Sequence, residues 1–411
     1  MPQIMTERLY YSDQYLDKAE ASVVDASLCE KGILLLLDKT NFFPCGGGQP
    51  SDTGRIVICG NDETVLDVAD VFEENGNIYH LCTSVNGDAH SAYIPLADSK
   101  VMLYPDVFPR RIDFMRQHTA EHMISYSMKK LFGAVNVGFH MNSEFSTCDF
   151  DIPLTYDQLM LCEKDVNEEV MKNKRVYDRT YSEEETDAME LRKRTEKLHG
   201  SMRVVFVEDN DSCTCCGLHV ERTGEIGSVK LVSSEKLRGG TRVYFLCGSR
   251  ALNDHRVKSE ILSSVGAKLS SKQSDILSAV EALEKKLSDA KKELGERSRA
   301  LALALEKSSV EINGVLFCAQ DILGAPEAEL IAKMPAECLG RAVFYKAAED
   351  RIGYIFANGG NPSLDCKARC AKANEIFGGK GGGKSDFARA TAVYTGSFDD
   401  AAKELERLLN I

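Results

Sequence analysis

The chain has 411 residues, a formal net charge of −13, 43% hydrophobic residues and 27% charged residues. That length suggests two to four domains, and that composition is one of soluble domains with real cores. The acidic balance excludes a protein that binds nucleic acid over its whole surface, leaving only a local basic groove for such a partner.

The N-terminal sequence has no basic-then-apolar leader, so a cytoplasmic location is expected. The apolar run Ile33–Leu37 is far too short to span a bilayer and reads as a buried strand, so no membrane partner is expected. Fourteen cysteines in such a chain read as reduced thiols, some of them metal ligands.

In chain order, residues 1–95 read as a small β-barrel domain. Short apolar runs at Ala21–Leu28, Gly32–Leu37, Gly54–Ile58 and Asn77–Leu81 alternate there with Gly, Asn and Asp punctuation. Residues 96–255 read as an α+β core. It has helical patterns over 108–132 and 158–174, then strands at Arg203–Val207, Ser228–Ser233 and Thr241–Leu246. Residues 256–308 read as a helical, coiled-coil-like arm. Ile276, Val280, Leu283, Leu287, Ala290, Leu294 and Leu301 alternate in steps of four and three with one polar lapse at Arg297, which is a heptad seam. A single amphipathic helix lying on a globular core is the alternative. Residues 309–411 read as an α/β domain with strands at Val315–Ala319, Arg341–Tyr345 and Arg351–Phe356, a Gly-rich loop over 378–383, and a last amphipathic helix from Asp399. The expected fold class is α+β multidomain.

Two clusters carry chemistry. In His118-Thr-Ala-Glu-His122 the histidines stand at i and i+4 in a helical context, on one face, where they can share an ion. In Cys213-Thr-Cys-Cys-Gly-Leu-His219 soft thiolates stand near another imidazole. Zinc takes N and S ligands tetrahedrally, and two pairs from distant segments build such a site. The string His118-x-x-Glu121-His122 also matches the inverted zinc-peptidase motif, with Glu121 as general base. That rival needs a downstream carboxylate ligand and leaves the Cys/His cluster without a role.

With these residues in place, the chain resembles the editing module of alanyl-tRNA synthetases and the stand-alone AlaX-like editing proteins. Phe43-Pro-Cys-Gly-Gly-Gly-Gln49-Pro-Ser-Asp-Thr-Gly54 is similar to the family's N-terminal Gly-rich motif, and Arg111 to His122 to its first metal motif. Ser146-Thr-Cys-Asp149 is similar to its mid-domain strand motif. Cys215-Cys-Gly-Leu-His219, followed by Thr223-Gly-Glu-Ile-Gly227, is similar to its second metal motif. The tail Gly378-Gly-Lys-Gly-Gly-Gly-Lys384-Ser-Asp386 is similar to the signature of the synthetase's C-terminal domain. Cys45, before the Gly triplet, and Leu218, before the last ligand, depart from the family pattern. Leu218 removes a hydroxyl that relatives place there.

The resemblance implies zinc ligands at His118, His122, Cys215 and His219, with Cys213 and Cys216 as competitors for the thiolate role. It implies a hydrolase that deacylates tRNA(Ala) mischarged with serine or glycine. A non-catalytic tRNA-binding module is the further alternative. Fewer than fifty residues precede the Gly-rich motif and none resembles a synthetase ATP site, so the chain is expected to deacylate tRNA and not to charge it. Zinc then either acidifies a water or organises the pocket. Gln49, Ser146 and Thr147 are the polar candidates for catalysis and for reading a serine hydroxyl, and Gly46, Gly47 and Gly48 would let backbone approach the ribose. Residues 366–390 hold six Lys/Arg against two Asp/Glu, and Lys380 and Lys384 there suit phosphate contacts. A homodimer through the arm or the C-terminal domain is also implied.

Overall fold

A computed structural model of the chain describes residues 5–60, 64–88, 93–194, 201–361 and 363–410. It is a mixed α/β protein of two compact units, Met1–Ile261 and Leu262–Ile411.

In the first unit six antiparallel strands close a barrel. Their order around it is Ala19–Cys29, Gly32–Leu37, Asn77–Val85, Thr64–Glu74, Gly54–Ile58 and Lys100–Pro105. Closure leaves no free sheet edge. Alternate residues such as Val23, Leu35, Ile56, Leu66, Ile78 and Leu103 fill the interior. Two of these strands, Thr64–Glu74 and Lys100–Pro105, carry no clean apolar alternation. In the first, register shifts at 67/68 and 68/70 break the period.

His80 is buried in this barrel. Its Nε2 lies 2.8 Å from Thr40 Oγ1 and its Nδ1 3.2 Å from the Leu35 carbonyl. Burial pulls its pKa down to about 4, against a smaller opposing pull from Leu35. In the unfolded chain the ring titrates near 6.5, so below that pH the unfolded state binds the proton first. Stability should therefore fall as pH drops from about 6.5 to 4, by about 3 kcal/mol in full. Urea unfolding at pH 7 and pH 4.5 checks this: His80→Gln should lose less stability between the two than the wild type.

After the barrel, helix Ile112–Phe132 and helix Tyr156–Met171 pack on an antiparallel sheet. Its strand order is Val229–Leu237, Gly240–Cys247, Ser146–Phe150, Asn136–Met141. Gly133 in the left-handed region ends the first helix. Thr155 and Gln158 form a capping box that starts the second. A three-stranded sheet, Val176–Tyr181, Met202–Val207 and Ser212–Thr214, completes the unit.

The second unit takes in the end of helix Ser249–Leu269 and then Ile276–Glu306, one continuous helix of 31 residues. The heptad positions Leu283, Leu287 and Leu294 are exposed along it. A six-stranded sheet follows, in the order Val310–Ile312, Val315–Gln320, Gly340–Ala348, Arg351–Ala357, Phe387–Val393, Lys380–Gly383. The stretch expected to be a Gly-rich loop is instead a helix cap and an edge strand. Gly378 ends helix Cys366–Phe377 with φ 65°, and residues 380–383 pair with the neighbouring strand. The reason is steric. A Cβ on Gly381 or Gly383 would stand 2.4 Å from the Arg389 carbonyl or 2.2 Å from the Phe387 carbonyl. The helix Phe398–Leu409 closes the unit. Among the described residues no helix is long and apolar enough to cross a membrane.

Candidate metal centre and active site

Helix Ile112–Phe132 buries His118 and His122 one turn apart. The segment after strand Ser212–Thr214 returns alongside it with Cys215 and His219. The four donor atoms lie within 4.8 Å of one another. Cys215 Sγ is 3.3 Å from His118 Nε2 and 3.5 Å from His219 Nε2. Donors around one tetrahedral zinc, with bonds of ~2.0–2.3 Å, stand roughly 3.3–3.8 Å apart, so this set fits that ion.

The outward nitrogens support the same fit. Each imidazole has its Nδ1 against a different side chain: His118 against Gln49 Oε1 at 3.3 Å, His122 against Asp211 Oδ2 at 3.2 Å, and His219 against Thr119 Oγ1 at 3.2 Å. Such contacts fix tautomer and ring orientation and direct each Nε2 to the centre. A Cβ on Gly217 would fall 2.1 Å from His118 Cε1, so only glycine fits between the two ligands of this segment.

Charge separates the three thiols. Burial pushes Cys215 up, but His118, with help from His122 and His219, pulls it well below its ordinary value. Burial raises Cys213 and Cys216. The charged thiolate that a metal would require is thus favoured at Cys215 and disfavoured at its neighbours. Burial opposes charge on His122, yet Cys213 and Asp211 hold its pKa well above the usual one, while burial and the other two imidazoles hold His219 well below it.

His122, Asp211 and Cys213 form a second group of donors. It reads as a buttress. Arg192 grips both Asp211 oxygens, at 2.8 and 3.0 Å, and lies 3.6 Å from Cys213 Sγ, so a guanidinium already holds the place a cation would take. Burial pushes Asp211 up, but His122 and Arg192 bring it below the usual carboxylate range.

Three of the donors, His118, His122 and Cys215, line a cavity of about 370 Å³. Gly47, Gly48, Phe139, Asn136, Glu121 and Arg192 are among its walls. Gly46 and Gln49 exchange backbone hydrogen bonds at 3.1 and 3.0 Å, closing a tight turn that puts Gly47 and Gly48 at φ 62° and 80°. Gln49 Oε1 accepts from the Leu218 N–H at 3.0 Å, while Gln49 Nε2 is buried with no partner. Ser146 and Thr147 are buried on strand Ser146–Phe150, paired with Met141 and His140, and are not among the cavity walls. Lys380 and Lys384 lie in the second unit, exposed at and just after its edge strand. The sequence reading missed Asp211, Thr119, Arg192, Asn136 and Gly217. None is a metal-ligand type at a ligand spacing; Thr119 and Gly217 lie inside the two quoted strings and Asp211 just before the second, and those positions were the signal in the sequence.

Residues 202–244 match the family described as the threonyl and alanyl tRNA synthetase second additional domain. The whole chain aligns with an alanyl-tRNA editing protein, AlaX-L, of Pyrococcus horikoshii. The two are 28% identical over 99% of this chain and 100% of that one. The chain resembles the alanyl-tRNA editing proteins from end to end. It also resembles alanine–tRNA ligases. That of Ignicoccus hospitalis is 26% identical over 94% of this chain, and that of Pseudothermotoga lettingae 29% over 92%. The chain spans only 41% and 46% of those ligases. The solved C-Ala domain of Aquifex aeolicus alanyl-tRNA synthetase matches 25% of this chain and 99% of its own at 18% identity, with a TM-score of 0.22, too low to bear on the fold.

Proposed function

We propose that this chain is a cytoplasmic trans-editing hydrolase that frees tRNA(Ala) from wrongly attached serine, and secondarily glycine, at a site holding one zinc ion. The observation that carries this reading is the convergence of three imidazoles and the Cys215 sulfur beside a cavity walled by the Gly47–Gly48 turn. The end-to-end likeness to an alanyl-tRNA editing protein supports the substrate. A zinc ion held by His118, His122, Cys215 and His219 would supply Lewis acidity.

The rest is work for the chain's own residues. Gly47 and Gly48 carry no side chain between the ligands and an incoming ribose. Gln49 lies next to the Gly47–Gly48 wall of the cavity, and its buried, unpartnered Nε2 is assigned here as the donor that meets a serine hydroxyl or an ester oxygen. A site built to bond a hydroxyl rejects the alanyl ester that lacks it by about 10⁴ in favourable cases. Ser146 and Thr147 back the strand behind the cavity and take no substrate contact in this reading. The basic 366–390 segment, with Lys380 and Lys384, is assigned to tRNA phosphates. The exposed Leu283, Leu287 and Leu294 seam is assigned to a homodimer. The zinc-peptidase rival calls for a downstream carboxylate ligand; among the described residues the four-donor group is completed by Cys215 and His219, and the carboxylate of Asp211 is held by Arg192.

The test is deacylation of Ser-, Gly- and Ala-tRNA(Ala), with and without chelator, alongside unstructured peptides. Serine should be released fastest and alanine spared. Chelator should abolish release, zinc should restore it, and peptides should stay intact. Peptide cleavage without ester release would overturn the reading. Gln49→Ala should lower kcat/KM on Ser-tRNA(Ala) about 100-fold and narrow the serine-to-alanine ratio. An unchanged ratio would reduce Gln49 to a turn residue.

A further inference from the structure

Glu121 has no part in the chemistry described so far, yet it is the one carboxylate among the described walls of the cavity. It is 6% exposed and stands outside both groups of metal donors. Its Oε1 accepts from Ser125 Oγ at 2.6 Å and from Asn136 Nδ2 at 2.8 Å, and those two donors are themselves 2.7 Å apart. Its Oε2 is 3.8 Å from His122 Nε2, the ring nitrogen opposite the one that meets Asp211. One oxygen is thus pinned and the other is held beside the reaction centre.

The electrostatics of the cavity ask for such a group. Arg192 and Lys193 line it, so without a carboxylate its field would repel a cation. Arg192 bonds Asp211 through Nε and Nη2; it feels the charge of Glu121 but makes no hydrogen bond to it among the described residues, so Glu121 Oε2 stays open to another donor. An aminoacyl ester differs from an ordinary ester by an α-amino group that is largely protonated at neutral pH and placed one atom from the scissile carbonyl. An ammonium has three donors and no acceptor. The imidazoles turned toward the metal and the guanidinium cannot accept from it; Glu121 Oε2 can.

We infer that Glu121 is a substrate-binding residue that recognises the α-ammonium of the aminoacyl group and so restricts this site to esters of amino acids. The inference rests on the deacylase reading above. It differs from the role a peptidase motif gives this glutamate, which is to take a proton from water. A general base serves every ester alike, whereas an ammonium receptor serves only the charged one.

The experiment compares Ser-tRNA(Ala) with the same RNA acylated by glyceric acid, in which a neutral hydroxyl of similar size replaces the ammonium. Spontaneous hydrolysis of each is measured alongside. Loss of one charge-assisted hydrogen bond corresponds to about 10- to 100-fold, so wild-type kcat/KM should fall by that factor on the glyceryl ester. Glu121→Gln should bring the seryl ester down to the glyceryl level and leave the glyceryl ester within about threefold of wild type. Glu121→Asp, which keeps the charge, should preserve the preference for the seryl ester. Should E121Q fail to fold, as judged by its melting curve, the wild-type comparison and E121D decide. Equal wild-type rates on the two esters, or an equal loss on both in E121Q, overturns the inference while leaving the deacylase intact. Wild-type inactivity on both esters overturns the deacylase reading itself.

Discussion

Cys215→Ala should strip the protein of its metal and lower deacylation of Ser-tRNA(Ala) by at least about a hundredfold, whereas Cys216→Ala should do neither. Cys215 Sγ stands at the meeting point of the His118 and His219 Nε2 atoms, and its charged form is favoured there. Cys216 belongs to neither group of donors. Cys213→Ala should fall between them. It removes a neighbour of His122 and Arg192, not a ligand, and the loss of a residue that orients a ligand costs about 10- to 100-fold in metal affinity. Metal content by mass spectrometry and initial deacylation rates on the three variants give the ranking. Metal kept in C215A and lost in C213A would move the site to the His122–Asp211–Cys213 group.

Arg111→Met should cost about 3–5 kcal/mol of stability, because it strands a buried carboxylate. Arg111 and Asp52 are 0% and 1% exposed. The guanidinium grips Asp52 Oδ2 through Nε at 3.0 Å and also through Nη2, and it reaches the carbonyls of Gln14, at 3.0 Å, and Asn41. Asp52 in turn accepts from the Phe43 N–H at 2.7 Å. The pair therefore ties the loop that carries Gln49 to the start of the helix that carries His118. Thermal unfolding should show the loss as a fall in Tm of about 10 °C, from ~2–4 °C per kcal/mol for a unit of this size. The double variant Arg111→Met/Asp52→Leu should recover part of it. The exposed Arg8–Glu73 pair is the control, since breaking it should cost less than about 1 kcal/mol. A Tm unchanged in Arg111→Met would mean that Asp52 finds another partner.

How much of this was legible in the sequence depends on what physics leaves in one dimension. The two pairs that meet in the four-donor group were legible as candidate ligands because sharing an ion would demand histidines one helical turn apart and a cysteine and histidine on a short tether, and both demands are spacings. Gly47 and Gly48 were legible as a turn. The partners of the ligands were not. Asp211 meets His122 across 89 positions and Thr119 meets His219 across 100, and nothing in local pattern encodes a contact between a helix and a distant segment. Ser146 and Thr147 were candidates because the strand motif is polar; both are buried on their strand and neither is among the cavity walls, although Ser146 Oγ has no hydrogen-bond partner. The barrel strands were readable where a short apolar run stood between turn residues, as over Gly32–Leu37, and unreadable over Thr64–Glu74, where bulges break the pattern. The glycines of 380–383 suggested freedom, whereas their place in the sheet is set by the closeness of the next strand.

The contact between Gln49 and both His118 and the Leu218 amide has a bearing on how the molecule can be taken apart. A fragment cut just before Ile112 would retain every ligand atom, yet it would lack the amide that steers one imidazole and covers one loop. It would also lack the salt link that anchors that amide. Such a truncation would hold its ion loosely and misorient whatever entered. The barrel is therefore a jaw of the enzyme and not a handle attached to it.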